Sequence, residues 1–151
     1  MSIPKLNKKG KMPIQSVSVQ TVWDEISPKI DLIIQDLPWN EYRKEDIYAS
    51  CAAGDAAIFI DTDFPSGESF FIARLQEVFG EKIFFLWIAH SEAPETAGRL
   101  NEVISDIASN SGCSAIEFST GSQEVYQHGL DNGFDKVLYR CRKPVAANLI
   151  A

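Results

Sequence analysis

The sequence predicts a mixed α/β (α+β) domain with a mostly antiparallel central sheet flanked by helices, in the order β-α-α-β-β-β-α-β-α-β. Two patterns support this prediction. The turn Phe79-Gly80-Glu81 joins two strand-like segments as a hairpin, which makes those strands antiparallel. The apolar run from Lys82 to Ala89 is followed by a helical pattern and another strand, and a right-handed crossover makes that pair parallel. The sheet is therefore expected to be mixed.

The front half of the chain is expected to contain one strand, two helices and two further strands. Polar and apolar residues alternate from Gln15 to Thr21, which predicts an edge strand. Helical spacing of apolar residues predicts a helix from Val22 to Leu37, with a restart at Pro28, and a second helix from Arg43 to Ala53. The strands that follow are expected from Ala56 to Thr62 and from Glu68 to Val78.

In the back half, the strand ending at Ala89 is followed by a loop and then by a long helix. Apolar residues recur at helical spacing from Glu95, and Gly112 ends that helix. The remaining elements are expected to be a loop at His90 to Pro94, a strand at Ala115 to Ser119, a helix at Ser122 to Asn132 and a strand at Lys136 to Lys143.

Length and charge bound the domain organisation and the classes of partner. A chain of 151 residues suits one domain, expected at residues 15–143, with a basic, flexible tail at 1–14 and a short tail at 144–151. The net charge is −7, and without the four lysines of the first tail ten basic residues face 21 acidic ones. The chain without that tail therefore carries a charge of −11. Because nucleic-acid binding needs a clustered positive surface, it is not expected to bind nucleic acid.

Hydropathy and cysteine spacing indicate a cytoplasmic protein without a membrane span. No apolar run approaches the roughly 20 residues needed to cross a bilayer. Cys51, Cys113 and Cys141 lie far apart without metal-type pairing, which fits a reduced compartment. The acidic turn Asp61-Thr62-Asp63 lacks further ligands, so no metal site is expected.

The crossover after Ala89 predicts a ligand crevice. A helix that starts at Glu95 faces the carboxyl end of the preceding strand, which is where open α/β sheets tend to bind ligands. The free N–H groups of the first helical turn can hold an anion there.

The order of elements resembles the GNAT superfamily of N-acetyltransferases. The resemblance covers roughly residues 15–143 and includes Ser111-Gly112-Cys113 before a strand and Asn132-Gly133-Phe134 before the last strand. It implies that the strand ending at Ala89 splays from its neighbour, and that the opening holds the pantetheine of acetyl-CoA. The implied cofactor-binding residues are the strand residues Trp87, Ile88 and Ala89 and the helix-start residues Ala97, Gly98 and Arg99.

The chain departs from the family pattern at two places. The glycine-rich phosphate loop of the family falls on Glu92, Glu95 and Ala97, where carboxylates add bulk and repel phosphate. A one-residue slip of the loop would instead bring Arg99 to the phosphate. The tyrosine that protonates the thiolate of CoA in many family members is replaced by Gly129, so Tyr126 or His128 would have to substitute. If the loop is degenerate, no acetyl-CoA is bound.

Four further side chains are candidates for chemistry or acceptor binding. His90 and Glu92 follow the predicted strand directly and are the candidate general bases for an amine acceptor. Aromatic residues between the first two helices border the acceptor side in GNAT enzymes, which implies a substrate-binding role for Trp39 and Tyr42. Each of these residues also has an ordinary interpretation as a core or loop residue.

The sequence therefore leaves two functions open. The first is an N-acetyltransferase that transfers acetyl from acetyl-CoA to a small-molecule or protein amine by direct attack, and the acidic body favours a cationic acceptor. The second is a non-catalytic GNAT-fold binding or structural module. The chain resembles small phage-encoded GNAT-like proteins with eroded loops, which implies a location in the host cytoplasm or the virion. A homodimer is expected from family habit alone.

Overall fold

The computed structural model describes residues 13–35, 43–65, 67–92, 94–119, 123–134 and 143, without the side chains of 94–98 and 123–126. The strands are β1 (Ile14–Val17), β2 (Ala57–Asp61), β3 (Ser69–Val78), β4 (Glu81–Ser91) and β5 (Ala115–Glu117). The helices are α1 (Val19–Gln35), α2 (Lys44–Ala53), α3 (Pro94–Asn110) and α4 (Gln123–Asp131). The last predicted strand, Lys136 to Lys143, lies outside the described residues except for its final position.

The five described strands form one mixed sheet in the order β1-β2-β3-β4-β5. The first four are mutually antiparallel neighbours, and β4 and β5 are parallel. This arrangement confirms the mixed, mostly antiparallel α/β fold class predicted from the hairpin at Phe79-Gly80 and from the crossover through α3. β1 lies at an edge of the sheet, as the alternation predicted.

Two hydrophobic cores lie on opposite faces of the sheet. On one face, α1 and α2 cover strand residues that include Ile58, Phe70, Ile72 and Ile88. On the other face, α3 covers strand residues that include Phe71, Ala73 and Phe84. Each strand alternates between the two cores because successive side chains of a strand point to opposite faces. A sheet covered on both sides explains why β3 and β4 are so apolar.

The boundary between β1 and α1 differs from the prediction. The strand predicted through Thr21 ends at Val17, and α1 begins at Val19. The cause is Ser18, whose carbonyl accepts from the Thr21 N–H at 3.1 Å and from the Thr21 hydroxyl at 2.8 Å. This turn starts a helix that buries Val19, Val22, Ile26 and Ile30. The expected restart at Pro28 is also wrong, because α1 is continuous through that residue.

Helix ends and the hairpin match the sequence signals. The glycines predicted to end α2, α3 and α4 have left-handed backbone conformations, with φ of 84° at Gly54, 76° at Gly112 and 93° at Gly133. Phe79 and Gly80, at the tip of the β3–β4 hairpin, also have positive φ, of 52° and 79°. Two successive residues of positive φ are what a tight hairpin turn requires.

The chain forms two compact units, of which the first ends at Gly121 and contains the sheet and α1 to α3. α4 lies in the second unit, and its C-terminus closes with the Phe134 N–H donating to the Gly129 carbonyl at 3.0 Å. Within the described residues, no helix is long and apolar enough to cross a membrane.

Candidate active site

The predicted opening between two sheet neighbours corresponds to the place where the pairing of β4 with β5 ends. β4 pairs with β3 from Glu81 to Ser91, whereas its parallel ladder with β5 has only three pairs and ends at Phe85 and Glu117. β4 therefore continues for six residues beyond the end of this ladder. The segment of β4 from Leu86 to Ser91 thus has no pairing with β5 among the described residues, and the region beside it, towards the start of α3, is called the wedge here.

A β-bulge lies at the start of this wedge. Ile72 of β3 pairs with Ile88, but the next residue, Ala73, pairs with Leu86, so Trp87 is one extra residue in β4. Leu86 packs on the α3 side of the sheet, whereas Trp87 and Ile88 pack on the α1 and α2 side. The extra residue thus shifts the alternation of β4 and sends the side chains that follow it to new faces.

The structure places the three predicted strand residues at the wedge. Trp87 is half-buried, Ile88 is buried in the core under α1, and Ala89 is exposed. α3 starts at Pro94, so the first-turn backbone of this 17-residue helix includes Ala97 and leads on to Gly98. The N–H groups of a first helical turn have no intrahelical partner. The wedge and this helix start are consecutive in the chain, as predicted.

His90 and Glu92, the two candidate bases, are brought together. His90 lies within β4 rather than in the predicted loop, because β3 extends far enough for Phe70 to pair with it. Its Nε2 lies 3.3 Å from Glu92 Oε1, and its ring packs on Phe70 with ring centroids 5.6 Å apart. His90 therefore points to the face of the sheet that α1 covers, where one side of its ring contacts the core.

Lys29 of α1 completes this group. Its ammonium forms a charged hydrogen bond with Glu92 Oε1, the same oxygen that His90 contacts. The hydrogen bond from Lys29, followed by that from His90, lowers the pKa of the Glu92 carboxyl below its ordinary value. Glu92 is therefore ionised at neutral pH, its charge is met by Lys29, and its oxygen is available to accept from His90.

A second charged cluster lies on the opposite face, under α3. Arg99 Nη2 lies 2.9 Å from Asp61 Oδ2, and Arg99 Nη1 donates to Asp63 Oδ2 at 2.9 Å. The guanidinium also lies over the Phe64 ring, 5.5 Å from its centroid. A phosphate at the start of α3 would therefore compete with two carboxylates for Arg99. The prediction that Arg99 binds the cofactor phosphate stays a prediction.

Asp61 is the buried member of this second cluster. It is 1% exposed at the end of β2, and its Oδ1 accepts from the Asp63 N–H at 3.0 Å. Burial raises the pKa of Asp61 above its ordinary value, although the Asp63 N–H and the Arg99 guanidinium act in the opposite direction. Asp61 and Asp63 hold Arg99 here, and no group of three or more metal-ligating side chains occurs within the described residues.

Some predicted site residues are not placed by the structure. Trp39 and Tyr42 lie outside the described residues, and Tyr126 is described only as part of the α4 backbone. Sequence reasoning in turn missed Lys29, which lies 63 residues before Glu92 in the chain.

Comparison with known proteins bears on the fold. A ribosomal-protein-alanine N-acetyltransferase from Brucella melitensis biovar Abortus 2308 superposes with a TM-score of 0.63 at 12% identity, over 87% of this chain and 97% of that chain. A Trypanosoma brucei acetyltransferase superposes with a TM-score of 0.60 at 11% identity, over 87% of this chain and 98% of that chain. The chain has the GNAT fold.

A third structure with this fold contains CoA. It is an aminoglycoside N-acetyltransferase, AAC(6')-Iy, with a TM-score of 0.55 at 17% identity over 86% of this chain and 99% of that chain. No protein-family model matches the sequence, and neither does any curated protein. The GNAT fold is thus established by architecture at identities too low to carry substrate or cofactor from one protein to another.

Proposed function

We propose that this GNAT-fold chain is an N-acetyltransferase that transfers acetyl from acetyl-CoA to an amine acceptor by direct attack. The observation that carries the proposal is the wedge, in which the β4–β5 ladder ends at Phe85 while β4 continues to Ser91. Enzymes with this fold include aminoglycoside and ribosomal-protein-alanine acetyltransferases.

The described residues fit acetyl-CoA in two respects. The β4 wall of the wedge, from Trp87 to Ala89, can receive an extended chain beside its backbone, as strand edges do for peptides. The first-turn amides of α3 near Ala97 are suited to an anion such as a pyrophosphate. Glu92 opposes such an anion less than its charge implies, because Lys29 binds its carboxylate. When bound, acetyl-CoA supplies the activated acetyl group.

His90 is the proposed general base. An ionised carboxylate can only accept hydrogen bonds, so Glu92 favours the neutral imidazole tautomer with its proton on Nε2. Nδ1 then carries the lone pair that takes a proton from the ammonium form of the acceptor, directly or through water. Lys29 and Glu92 are positioning residues in this arrangement, because they act on the acceptor only through His90.

The second function, a non-catalytic GNAT-fold module, is favoured by the two ion pairs that Arg99 already forms. The cation best placed by sequence to hold a phosphate is bound by Asp61 and Asp63. The predicted phosphate loop also contains Glu92 and Glu95 where the family pattern has a polar or basic residue and glycine. On this view the fold is retained for binding alone.

Two measurements on the full chain separate these functions. We expect acetyl-CoA to raise the melting temperature, since a ligand at 100 times its Kd adds about 2.7 kcal/mol of stability. We also expect CoA thiol release with an amine panel to fall about a hundredfold for His90→Gln, the low end of general-base effects, with the acetyl-CoA melting shift retained. A melting temperature that does not change in millimolar acetyl-CoA would reject the proposed acetyltransferase function.

The positioning role of Lys29 has a matched control in Lys44. Both lysines bind an acidic side chain at the surface of the helical layer, and Lys44 Nζ lies 3.0 Å from Asp31. Lys29→Met is expected to lower the rate of thiol release severalfold, and Lys44→Met is expected to leave it unchanged. Equal effects of the two substitutions would show that Lys29 has no role in the site.

A further inference from the structure

Lys29 is an amine of the chain itself that lies beside the proposed base. It follows the buried Ile26 of α1 by three residues, so it borders the face of that helix that packs on the sheet. Its ammonium binds Glu92 Oε1, and the same oxygen lies 3.3 Å from His90 Nε2. Because a hydrogen bond is about 3 Å long, the Lys29 nitrogen lies at most roughly 6 Å from His90 Nε2.

The Lys29 side chain is accessible and able to move. It is 32% exposed, and its partner Glu92 is 36% exposed. An ion pair between side chains this exposed is weak and opens often. The flexible four-carbon stem of lysine then carries the amine to new positions. An acceptor that gives its proton to His90 must lie within hydrogen-bond reach of the same ring, so that acceptor and the Lys29 amine would share one site.

Two other lysines provide a comparison. Lys44 has a similar environment, because it is 36% exposed and its Nζ lies 3.0 Å from Asp31 Oδ2. Asp31 follows Lys29 by two residues in α1, and residues two apart do not share a helix face. Lys82 donates to the Ser111 carbonyl at 2.6 Å, near the start of β4. Of these three lysines, Lys29 is the one whose partner also contacts His90.

We propose that Lys29 is acetylated by the chain's own acetyl-CoA, and that this modification limits the activity of the site. The proposal rests on the proposed acetyltransferase function and adds a regulation of that same site. Lys29 first gives its ammonium proton to Glu92 or to water. Its neutral nitrogen then forms an amide bond with the acetyl carbon while the bond between that carbon and the CoA sulfur breaks, and the departing thiolate takes a proton from water.

Acetylation removes the positive charge of a lysine, so it removes the cation that meets the charge of Glu92. The Glu92 carboxylate then opposes the phosphates of acetyl-CoA more strongly, and it also loses a contact that fixes it beside His90. Both effects lower the rate of transfer to an external amine. The site would therefore reduce its own activity when acetyl-CoA is abundant and the acceptor is scarce.

The first test incubates the full chain with acetyl-CoA and no acceptor, and measures the acetylation of each lysine by peptide mass mapping. We expect Lys29 to be modified at least about tenfold faster than Lys44 and Lys82, because it alone of the three is held at the site. The Lys29 rate should saturate with acetyl-CoA concentration. Chemical acetylation of exposed lysines rises linearly instead, and the urea-denatured chain should show no preference for Lys29.

The second test measures the consequence of the modification. After the same incubation, the acetylated chain should release CoA thiol with an amine panel severalfold more slowly than before, and acetyl-CoA should raise its melting temperature less. Lys29→Arg keeps a cation for Glu92 but has no amine to acetylate, so its own starting rate should not fall during the incubation. Lys44→Arg is the matched control, and its rate should fall as that of wild type does.

The outcomes separate the proposals. Lys29 acetylation no faster than that of Lys44, or equally selective in the denatured chain, would overturn self-acetylation. An acetylated chain with an unchanged rate and an unchanged melting shift would overturn the regulation. Binding of acetyl-CoA and transfer to external amines without modification of Lys29 would reject this inference alone. Modification of Lys29 without transfer to any amine of the panel would reject transfer to an external acceptor alone.

Discussion

Asp61 is a carboxylate whose surroundings act in opposite directions. Burial at the end of β2 disfavours its charge, whereas Arg99 and the Asp63 N–H favour it. The net effect is a raised pKa, so the folded protein holds this proton to a higher pH than the unfolded chain does. A group of this kind makes stability fall as the pH rises.

The expected pH dependence follows from that sign. As the pH rises from about 4, Asp61 loses its proton first in the unfolded chain, which lowers the free energy of unfolding until the folded carboxyl has ionised as well. The difference in free energy of unfolding between wild type and Asp61→Asn, measured by urea unfolding from about pH 3.5, near the ordinary aspartate pKa, to about pH 7, isolates this effect. A difference that stays flat, or that grows in favour of wild type with rising pH, would contradict the raised pKa.

The sequence predicted which residues could serve as bases but not how they are connected. His90 and Glu92 are two residues apart, so their proximity followed from position alone. Lys29 could not be predicted, because only the packing of α1 across the sheet brings it to Glu92. The same is true of Arg99, whose carboxylate partners Asp61 and Asp63 lie 38 and 36 residues earlier in the chain. Long-range ion pairs have no periodicity that a single sequence reveals.

Gly67 lies in the connection between β2 and β3, where the chain contacts the backbone of α1. Its φ is +90°, and a Cβ built on it would lie 2.7 Å from the carbonyl oxygen of Glu25 in α1. The two backbones therefore approach more closely than any side chain allows. Gly54, at the end of α2, has a similar φ of +84° but nothing within 4 Å of the same position.

These two glycines form a matched pair of substitutions. Gly54→Ala is expected to cost about 1 kcal/mol, because alanine is strained in the left-handed region. Gly67→Ala adds a backbone clash and is expected to cost about 3 kcal/mol. Urea unfolding of both variants measures the difference, and equal costs would mean that α1 moves away from Gly67 with no loss of packing.

The elements were predictable where a local signal decides them. Helix ends at Gly54 and Gly112 and the hairpin at Phe79 depend on a few adjacent residues, and all three are confirmed. The start of α1 was predicted too late because the alternation from Gln15 continues past Ser18, which is where the helix begins. β4 is longer than predicted because β3 pairs with it as far as Ser91, which no local pattern encodes.

At the scale of the whole molecule, charge should act on the acceptor before any contact is made. The net charge is −7, and Lys29 and Arg99 are already ion-paired beside the proposed site. The surrounding field is therefore expected to attract a protonated amine over distances comparable with the Debye length. This attraction is independent of the identity of the base.

The dependence of kcat/KM on ionic strength tests this electrostatic attraction. Raising sodium chloride from about 20 mM to about 300 mM shortens the Debye length severalfold and should lower kcat/KM for a cationic amine about threefold. A weakly basic amine that is neutral at the assay pH should show little change. If both amines respond equally, the acidic composition has no part in acceptor selection.

The architecture was more predictable from the sequence than the chemistry. Solved acetyltransferases share the fold at 11% and 17% identity, so few individual residues are needed to specify it. The order of strands and helices in this chain follows from local patterns and from the crossover after β4. The predicted departures from the family loop, at Glu92 and Glu95, therefore leave the fold unchanged.

Because of the bulge at Trp87, the face of the sheet on which His90 lies depends on how many residues β4 contains as well as on their types. Deleting one residue there would restore regular alternation between β3 and β4. His90 would then turn towards α3, away from Lys29, even though no catalytic side chain had been replaced. A single-codon deletion in β4 is therefore expected to remove the proposed base from its partners although His90, Glu92 and Lys29 are all retained.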